Sequence, residues 1–185
     1  MSDGFVALGE HLEYRGSVVS VVRARFEGPD GVEFERDVVR HPGAVVVVPL
    51  LDATTVLLVR QYRSAIGAEL LELPAGKRDV PGEAPEATAA RELVEEVGRR
   101  AGRLELLAGF YNSPGFCDEH SLLYLATDLE EVGTDRQGVE EQAMSLEAVP
   151  LAETDRLLDA GELVDAKTIL GLCLARRYLG IGPSR

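Results

Sequence analysis

The chain has no tryptophan, and aromatic residues make up only 5% of its 185 positions. Its core must therefore be aliphatic, and an apolar fraction of 45% suffices for one domain, or for a compact domain with an extra arm. There are only two cysteines, Cys117 and Cys173, and they do not form a metal-ligand spacing. Without a visible export signal they are expected to be reduced thiols. Long hydrophobic runs are missing as well, and none approaches the roughly 20 residues of a membrane span. The opening stretch, MSDGFVALGEHLEYRG, lacks the basic start and long apolar segment of a signal peptide, so a cytoplasmic location is expected. Positive charge is scarce: 19 Lys and Arg face 32 Asp and Glu, a net charge of −13. This balance offers no electrostatic footprint for phosphate backbones, so neither nucleic acid nor membrane is an expected partner. An anionic substrate has to be received locally, by a bound cation and a few arginines such as Arg63 and Arg91.

Strand and turn signals divide the chain. Ser17–Phe26 and Val32–Val39 read as strands around the turn Gly28-Pro29-Asp30-Gly31, a hairpin preceding the main body. Ala44–Leu50 (AVVVVPL) reads as a strand buried on both faces, with Thr55–Tyr62 as its expected partner. Glu69–Leu73, Leu104–Tyr111, Ser121–Thr127 and Met144–Val149 read as further strands. Helices are expected over Leu151–Asp159 and about Ala166–Tyr178, the latter with an apolar stripe of Ile169, Leu170, Cys173 and Leu174. Asn112–His120 and Gly133–Gln142 read as polar loops, in which Asp118 and His120 are expected to be solvated. The sum is an α/β (α+β) chain with a mixed sheet and helices packed on it. Its expected division is an arm over residues 1–40 and a main domain over 41–185.

What the chain does have is a concentration of carboxylates. Gly76 to Gly98 reads GKRDVPGEAPEATAARELVEEVG, with Glu83, Arg91, Glu92, Glu95 and Glu96 inside it. On a helix, Glu92, Glu95 and Glu96 project from one face. Like charges so close repel unless a cation binds between them, and oxygen-only ligands suit a hard divalent ion, Mg²⁺ or Mn²⁺. The helix has readable ends: Pro85 suits its first turn and Gly98 the left-handed residue after it. Glu86 complements the macrodipole at the start, and Arg99 and Arg100 fall near the other end.

This stretch resembles the Nudix box, GX5EX7REUXEEXGU, where U is aliphatic. Arg91, Glu92, Leu93, Glu95, Glu96 and Gly98 match in register, and Glu83 keeps its spacing to Arg91. Two positions depart from it: six residues rather than five separate Gly76 from Glu83, and Arg99 stands at the last aliphatic position. Neither touches a candidate ligand. Pro114, fifteen residues beyond Arg99, and the segments RHPGAVVVVPL, VRQYR, ELPAG and SPGFCDE resemble the ADP-ribose pyrophosphatase subgroup of Nudix hydrolases.

The resemblance implies an αβα Nudix sandwich, and a homodimer whose N-terminal hairpins help build the partner's site. It implies Mg²⁺-dependent hydrolysis of ADP-ribose to AMP and ribose 5-phosphate. The metal ligands would be Glu92, Glu95, Glu96 and the carbonyl of Ala75, with Arg91 holding the glutamates in position. Arg63 would contact the diphosphate, while Gly115, Phe116 and Glu119 would line the ribose side. Phe116 reads equally well as a plug beneath its own loop. A general base would come from the late acidic loop, Glu141 first and Glu140 second. The box touches only diphosphate and metal, so another nucleoside diphosphate sugar remains an alternative substrate. A ligand-binding regulator on the same fold is a further alternative, disfavoured by the complete set of box carboxylates.

Overall fold

The computed structural model describes residues 4–136 and 138–182. The chain forms two compact units, one of Met1–Gly43 with Phe110–His120, the other of Ala44–Gly109 with Ser121–Arg185.

The first unit is built on a three-stranded antiparallel sheet of β1 (Val6–Arg15), β2 (Ser20–Glu27) and β3 (Glu33–Arg40), with β2 in the middle. The hairpin expected from the Gly-Pro-Asp-Gly turn is present as β2 and β3. Gly31 N donates to the Gly28 carbonyl at 2.9 Å, and Gly31 takes the left-handed φ of 77° that such a turn favours. The strand β1 adds to it, exposed along its whole length and irregular in register at two places. The Asn112–Glu119 segment does more than loop. Val39 N donates to the Phe116 carbonyl (2.7 Å), and Asp118 N donates to the Val39 carbonyl (3.1 Å), so it docks beside β3. Asp118, expected to be solvated, is the clasp: its carboxylate accepts from His41 N at 2.8 Å and from Arg40 Nη1 at 3.0 Å.

In the second unit, β4 (Ala44–Pro49) is buried throughout, as its unbroken apolar run implies. It pairs parallel with β9 (His120–Glu131) and antiparallel with β7 (Ala75–Lys77), and β8 (Arg99–Tyr111) completes this mixed sheet. The strand β5 (Thr55–Arg63) is not the ladder partner of β4. It lies between β6 (Ala68–Glu72) and β10 (Ser145–Pro150) in a separate sheet, bridged from Val56 to Leu50 just past β4, and its Leu57 and Val59 share a core cluster with Val45 and Val47. The edges of β4 are already taken by β7 and β9, leaving no ladder for β5 to join.

Alternation along β4 sends side chains to two layers. Val45 and Val47 pack with Ala89, Leu93 and Val97 of α1 (Pro85–Val97). Val48 faces α4 (Ala166–Tyr178), where a Cβ on Gly171 would come within 3.6 Å of it. Two short helices complete the unit, α2 (Val139–Gln142) and α3 (Thr154–Asp159), the latter entered through a 3₁₀ turn at Leu151–Glu153.

The buried face of α4 is rotated from the expected stripe. Thr168, Gly171, Leu172, Ala175 and Arg176 are buried, while Cys173 is exposed. Small residues let the helix approach the sheet, and Arg176 is buried because Asp155 (2.5 Å), Thr154 (3.1 Å) and the Gly182 carbonyl (2.5 Å) accept its hydrogen bonds. A Cβ on Gly171 would lie 2.4 Å from Cδ1 of the fully buried Leu73. Gly171→Val is therefore expected to lower stability by about 1–3 kcal/mol despite removing a helical glycine. Urea unfolding measures this; an unchanged midpoint would contradict the close approach.

Candidate functional site

The carboxylate helix begins at Pro85 and ends where Gly98, at φ 64°, donates its N–H back to Val94 at 3.0 Å. A side chain at Gly98 would also strike the backbone of Gly133, 2.8 Å from its Cβ. The turn that carries the extra residue before Glu83 is open, for a Cβ on Gly82 would meet nothing within 4 Å. The insertion is absorbed at the surface.

Arg91 gathers the acidic residues. Its Nε and Nη2 each lie 3.2 Å from one oxygen of Glu83, and Nη1 donates to Glu92 at 2.8 Å and Glu95 at 2.9 Å. These charge-assisted bonds raise the Arg91 pKa further, the bond to Glu83 most of all, and lower that of Glu83. Thr88 Oγ1 holds Glu83 from the other side at 2.9 Å.

Glycine is required at 76 for a steric reason. A Cβ there would lie 1.9 Å from Cδ of Glu92, so the strand β7 carries the Glu92 carboxylate against its bare backbone. One residue earlier, Ala75 N donates to Glu96 Oε2 at 3.1 Å. Helix and strand thus bring Ala75, Glu92 and Glu96 together. Burial raises the pKa of Glu92, and burial with the charge of Glu92 raises that of Glu96 to about 8. Glu141, half-buried on α2, adds to both shifts, whereas Arg63 opposes that of Glu96. Glu140 is exposed. Of the two acidic loop residues, Glu141 is the one whose charge reaches the cluster.

Arg63 is already engaged. Its Nε and Nη2 form a two-point pair with the fully buried Glu72, at 2.7 and 2.6 Å, leaving only Nη1 outside that pair. Behind Glu72 lies Lys167, 3.9 Å away and 2.6 Å from Asp165. Burial would raise the Asp165 pKa, but Lys167 and Thr168 outweigh it and lower it. Gln61, on the same face of β5 as Arg63 by strand alternation, is buried, and its Nε2 has no partner among the described residues. It is a donor open to a ligand's acceptor.

Gly115, Phe116 and Glu119 belong to the first unit. Gly115 and Phe116 line a cavity of about 550 Å³ there, together with Phe26, Phe34, Arg36 and Tyr111. Phe116 is 58% exposed, so it does not plug its loop. Arg36 stacks over Phe34, 4.7 Å from the ring centre. Glu119 accepts from Asn112 N through its carbonyl at 3.2 Å.

Residue chemistry at α1 suits a hard divalent cation: three carboxylates and a strand carbonyl are oxygen ligands, and the mutual repulsion of Glu92 and Glu96 favours a positive charge between them. As placed, no three acidic, histidine or cysteine side chains among the described residues converge to hold an ion. Arg91 takes Glu92 and Glu95, and Glu96 turns to Ala75. Side-chain rotation must therefore accompany binding.

One residue that sequence reasoning missed is Arg136, whose guanidinium touches the end of α1. Arg99 and Arg100, expected near that end, follow it directly as the start of β8 and pair with Glu131 (2.5 Å) and Glu130 (3.1 Å). Asp118 was also missed, since a carboxylate in a turn-rich segment gives no sign of the backbone amide that it meets.

A sandwich bearing an arginine-held carboxylate helix beside a glycine strand is the arrangement of the NUDIX domain family, whose model matches residues 40–170. The chain belongs to that family. It is 40% identical to an ADP-ribose pyrophosphatase of Mycobacterium tuberculosis over 91% of this chain and 81% of that one. It is 37% identical to an ADP-ribose pyrophosphatase of Bacillus subtilis over 84% and 83%. Among solved structures it is similar to an ADP compounds hydrolase, with a TM-score of 0.82, 26% identity and coverage of 95% and 94%.

The raised pKa of Glu96 has a measurable consequence. Between its ordinary 4.5 and about 8 the folded protein holds a proton that the unfolded chain releases. Stability of the metal-free protein should therefore fall as pH rises through that window. Thermal unfolding in EDTA across this range is expected to show the decline, and Glu96→Gln to flatten it. An identical slope in the variant would assign the effect elsewhere.

Proposed function

We propose that this chain hydrolyses ADP-ribose, with water and a divalent cation, to AMP and ribose 5-phosphate. The observation that carries the reading is the likeness to two ADP-ribose pyrophosphatases over most of both chains. It is supported by a carboxylate helix on which Arg91 gathers Glu83, Glu92 and Glu95 into one ion-pair cluster, with Glu96 held beside them by Ala75 N. Glu92, Glu95, Glu96 and the Ala75 carbonyl would hold the cation, Mg²⁺ or alternatively Mn²⁺. When bound, it would neutralise diphosphate oxygens and make a water more acidic.

The chain's own groups do the rest. Arg91 keeps Glu92 and Glu95 gathered through one nitrogen, so the rotation that cation binding requires starts from neighbouring carboxylates. Arg63, fixed by Glu72, presents its remaining nitrogen to a phosphate oxygen, and the open amide of Gln61 offers a second donor. Glu141 takes the proton from the attacking water, being the loop carboxylate whose charge is felt at Glu92 and Glu96. Gly115, Phe116 and Glu119 would line the ribose side.

The active species is a homodimer. Val6, Leu8, Leu12 and Tyr14 of β1 are between 40% and 62% exposed, an apolar edge strand of the kind that a second chain covers. Sedimentation should give a dimer at micromolar concentration, and Leu8→Glu combined with Leu12→Glu should shift it to monomer. A wild-type monomer would remove the shared assembly.

AMP release from a panel of nucleoside diphosphate sugars, with Mg²⁺ and then EDTA, tests the substrate. ADP-ribose should lead and EDTA should abolish turnover; better cleavage of another sugar would reassign it. Glu141→Gln should lower kcat by about 10²–10⁴-fold with little change in KM. If Glu140→Gln did so instead, the base would be its neighbour.

A further inference from the structure

Arg136 lies in the polar stretch between β9 and α2, where nothing in the box predicts a role. Its Nε donates to the backbone carbonyl of Glu96 at 3.2 Å, and its Nη1 to that of Met144 at 2.7 Å. The Glu96 carbonyl belongs to the last turn of α1, whose carbonyls lack helical partners. That turn contains no basic residue of its own, so Arg136 supplies the cation that the helix C-terminus favours. Met144 closes the turn that carries Glu141: its N–H donates to the Glu141 carbonyl at 3.0 Å, and its side chain is buried among Ala89, Leu93 and Val97. One guanidinium therefore ties the end of the carboxylate helix to the residue that terminates α2.

The tie matters because α2 itself is slight. It is four residues long, contains no buried residue, and exposes 86% of Val139. A single turn is not stable by its own hydrogen bonds. The Glu141 side chain turns back toward its own turn, with Oε2 3.4 Å from Gly138 N. Anchors at the far end of α2 help to set its place relative to Glu92 and Glu96, and Arg136 joins that end to the backbone of Glu96 itself.

We propose that Arg136 is a positioning residue that fixes the Glu141 turn against the carboxylate helix, so that the base and the cation ligands move as one body. The proposal rests on the reading of Glu141 as general base. Bridging two carbonyls takes two nitrogens of one planar fork; lysine, with a single nitrogen, reaches one of them well.

The test is steady-state kinetics on ADP-ribose with Mg²⁺ titrated, for Arg136→Ala, Arg136→Lys, Glu141→Gln and the double variant Arg136→Ala/Glu141→Gln. Arg136→Ala should lose about 10–100-fold in kcat, since small displacements of a reacting group carry costs of that size. KM and the half-saturating Mg²⁺ concentration should stay at wild-type values, and Arg136→Lys should fall between wild type and Arg136→Ala. The double variant should be no slower than Glu141→Gln alone, because a mispositioned base that is already absent costs nothing more. Circular dichroism checks that each variant folds, and the charge-retaining lysine variant provides the reading if the alanine variant does not. Wild-type kcat in both Arg136 variants beside a disabled Glu141→Gln overturns this proposal alone. Multiplicative losses in the double variant, or a shift in Mg²⁺ requirement in place of kcat, also overturn it. Wild-type kcat in Glu141→Gln overturns the base assignment and the coupling together.

Discussion

Arg91 stands among three carboxylates that would repel one another without it, and bonds to all of them from a single guanidinium. Its position on α1 is set by the sheet below, because Leu93 and Val97 are buried against Val45 and Val47 and so fix the rotation of the helix. The opposite face then carries Glu92, Glu95 and Glu96 toward β7, where only a glycine leaves room for Glu92. An aliphatic core thus orients an ionic cluster, and one guanidinium neutralises only part of its charge. The negative charge left over, felt most at Glu96, is what a divalent cation would relieve.

A second ion network stands beside it. Arg63 is locked by buried Glu72, Lys167 lies nearby, and Asp165 caps α4 by accepting from Thr168 N at 2.9 Å. Thr168 in turn accepts from Leu73 N at 2.9 Å, next to Glu72 in the chain. Sheet, helix start and arginine are therefore one hydrogen-bonded unit. Burying Glu72 carries a desolvation cost that this pairing offsets, and loss of Glu72 or of Arg63 alone would strand its partner.

Most of this was legible where chemistry and local pattern coincide. The box residues, Pro85 at the helix start, Gly98 at its end and the continuous run of β4 each state their role in a few adjacent positions. The structure differs where a role depends on distant residues. The buried face of α4 was misjudged because Gly171 and Ala175 pack by being small, which a search for apolar stripes passes over. Arg176 lies on that face only because Asp155 and Thr154 meet it there. The β1 strand carries its apolar residues at alternate positions, Val6, Leu8, Leu12 and Tyr14, but Gly9 and Glu10 interrupt the pattern and it was passed over. Asp118 and Arg136 act on backbone groups many residues away, and backbone partners leave no trace in side-chain spacing.

The clasp between Asp118 and the Arg40–His41 end of β3 makes the first unit discontinuous along the gene. Its sheet comes from the beginning of the chain, while the segment docked on β3 arrives some seventy residues later, after the carboxylate helix has been laid down. The arm is therefore not a cassette. A chimera that exchanged residues 1–43 with a relative would inherit a foreign β3 facing the original Phe116–Asp118 turn, and the amide pairing at Val39 would have to be matched anew. Recombination among such chains should preserve the two pieces as a pair, so the short turn carries a lineage tied to the N-terminus rather than to its own flanking strands.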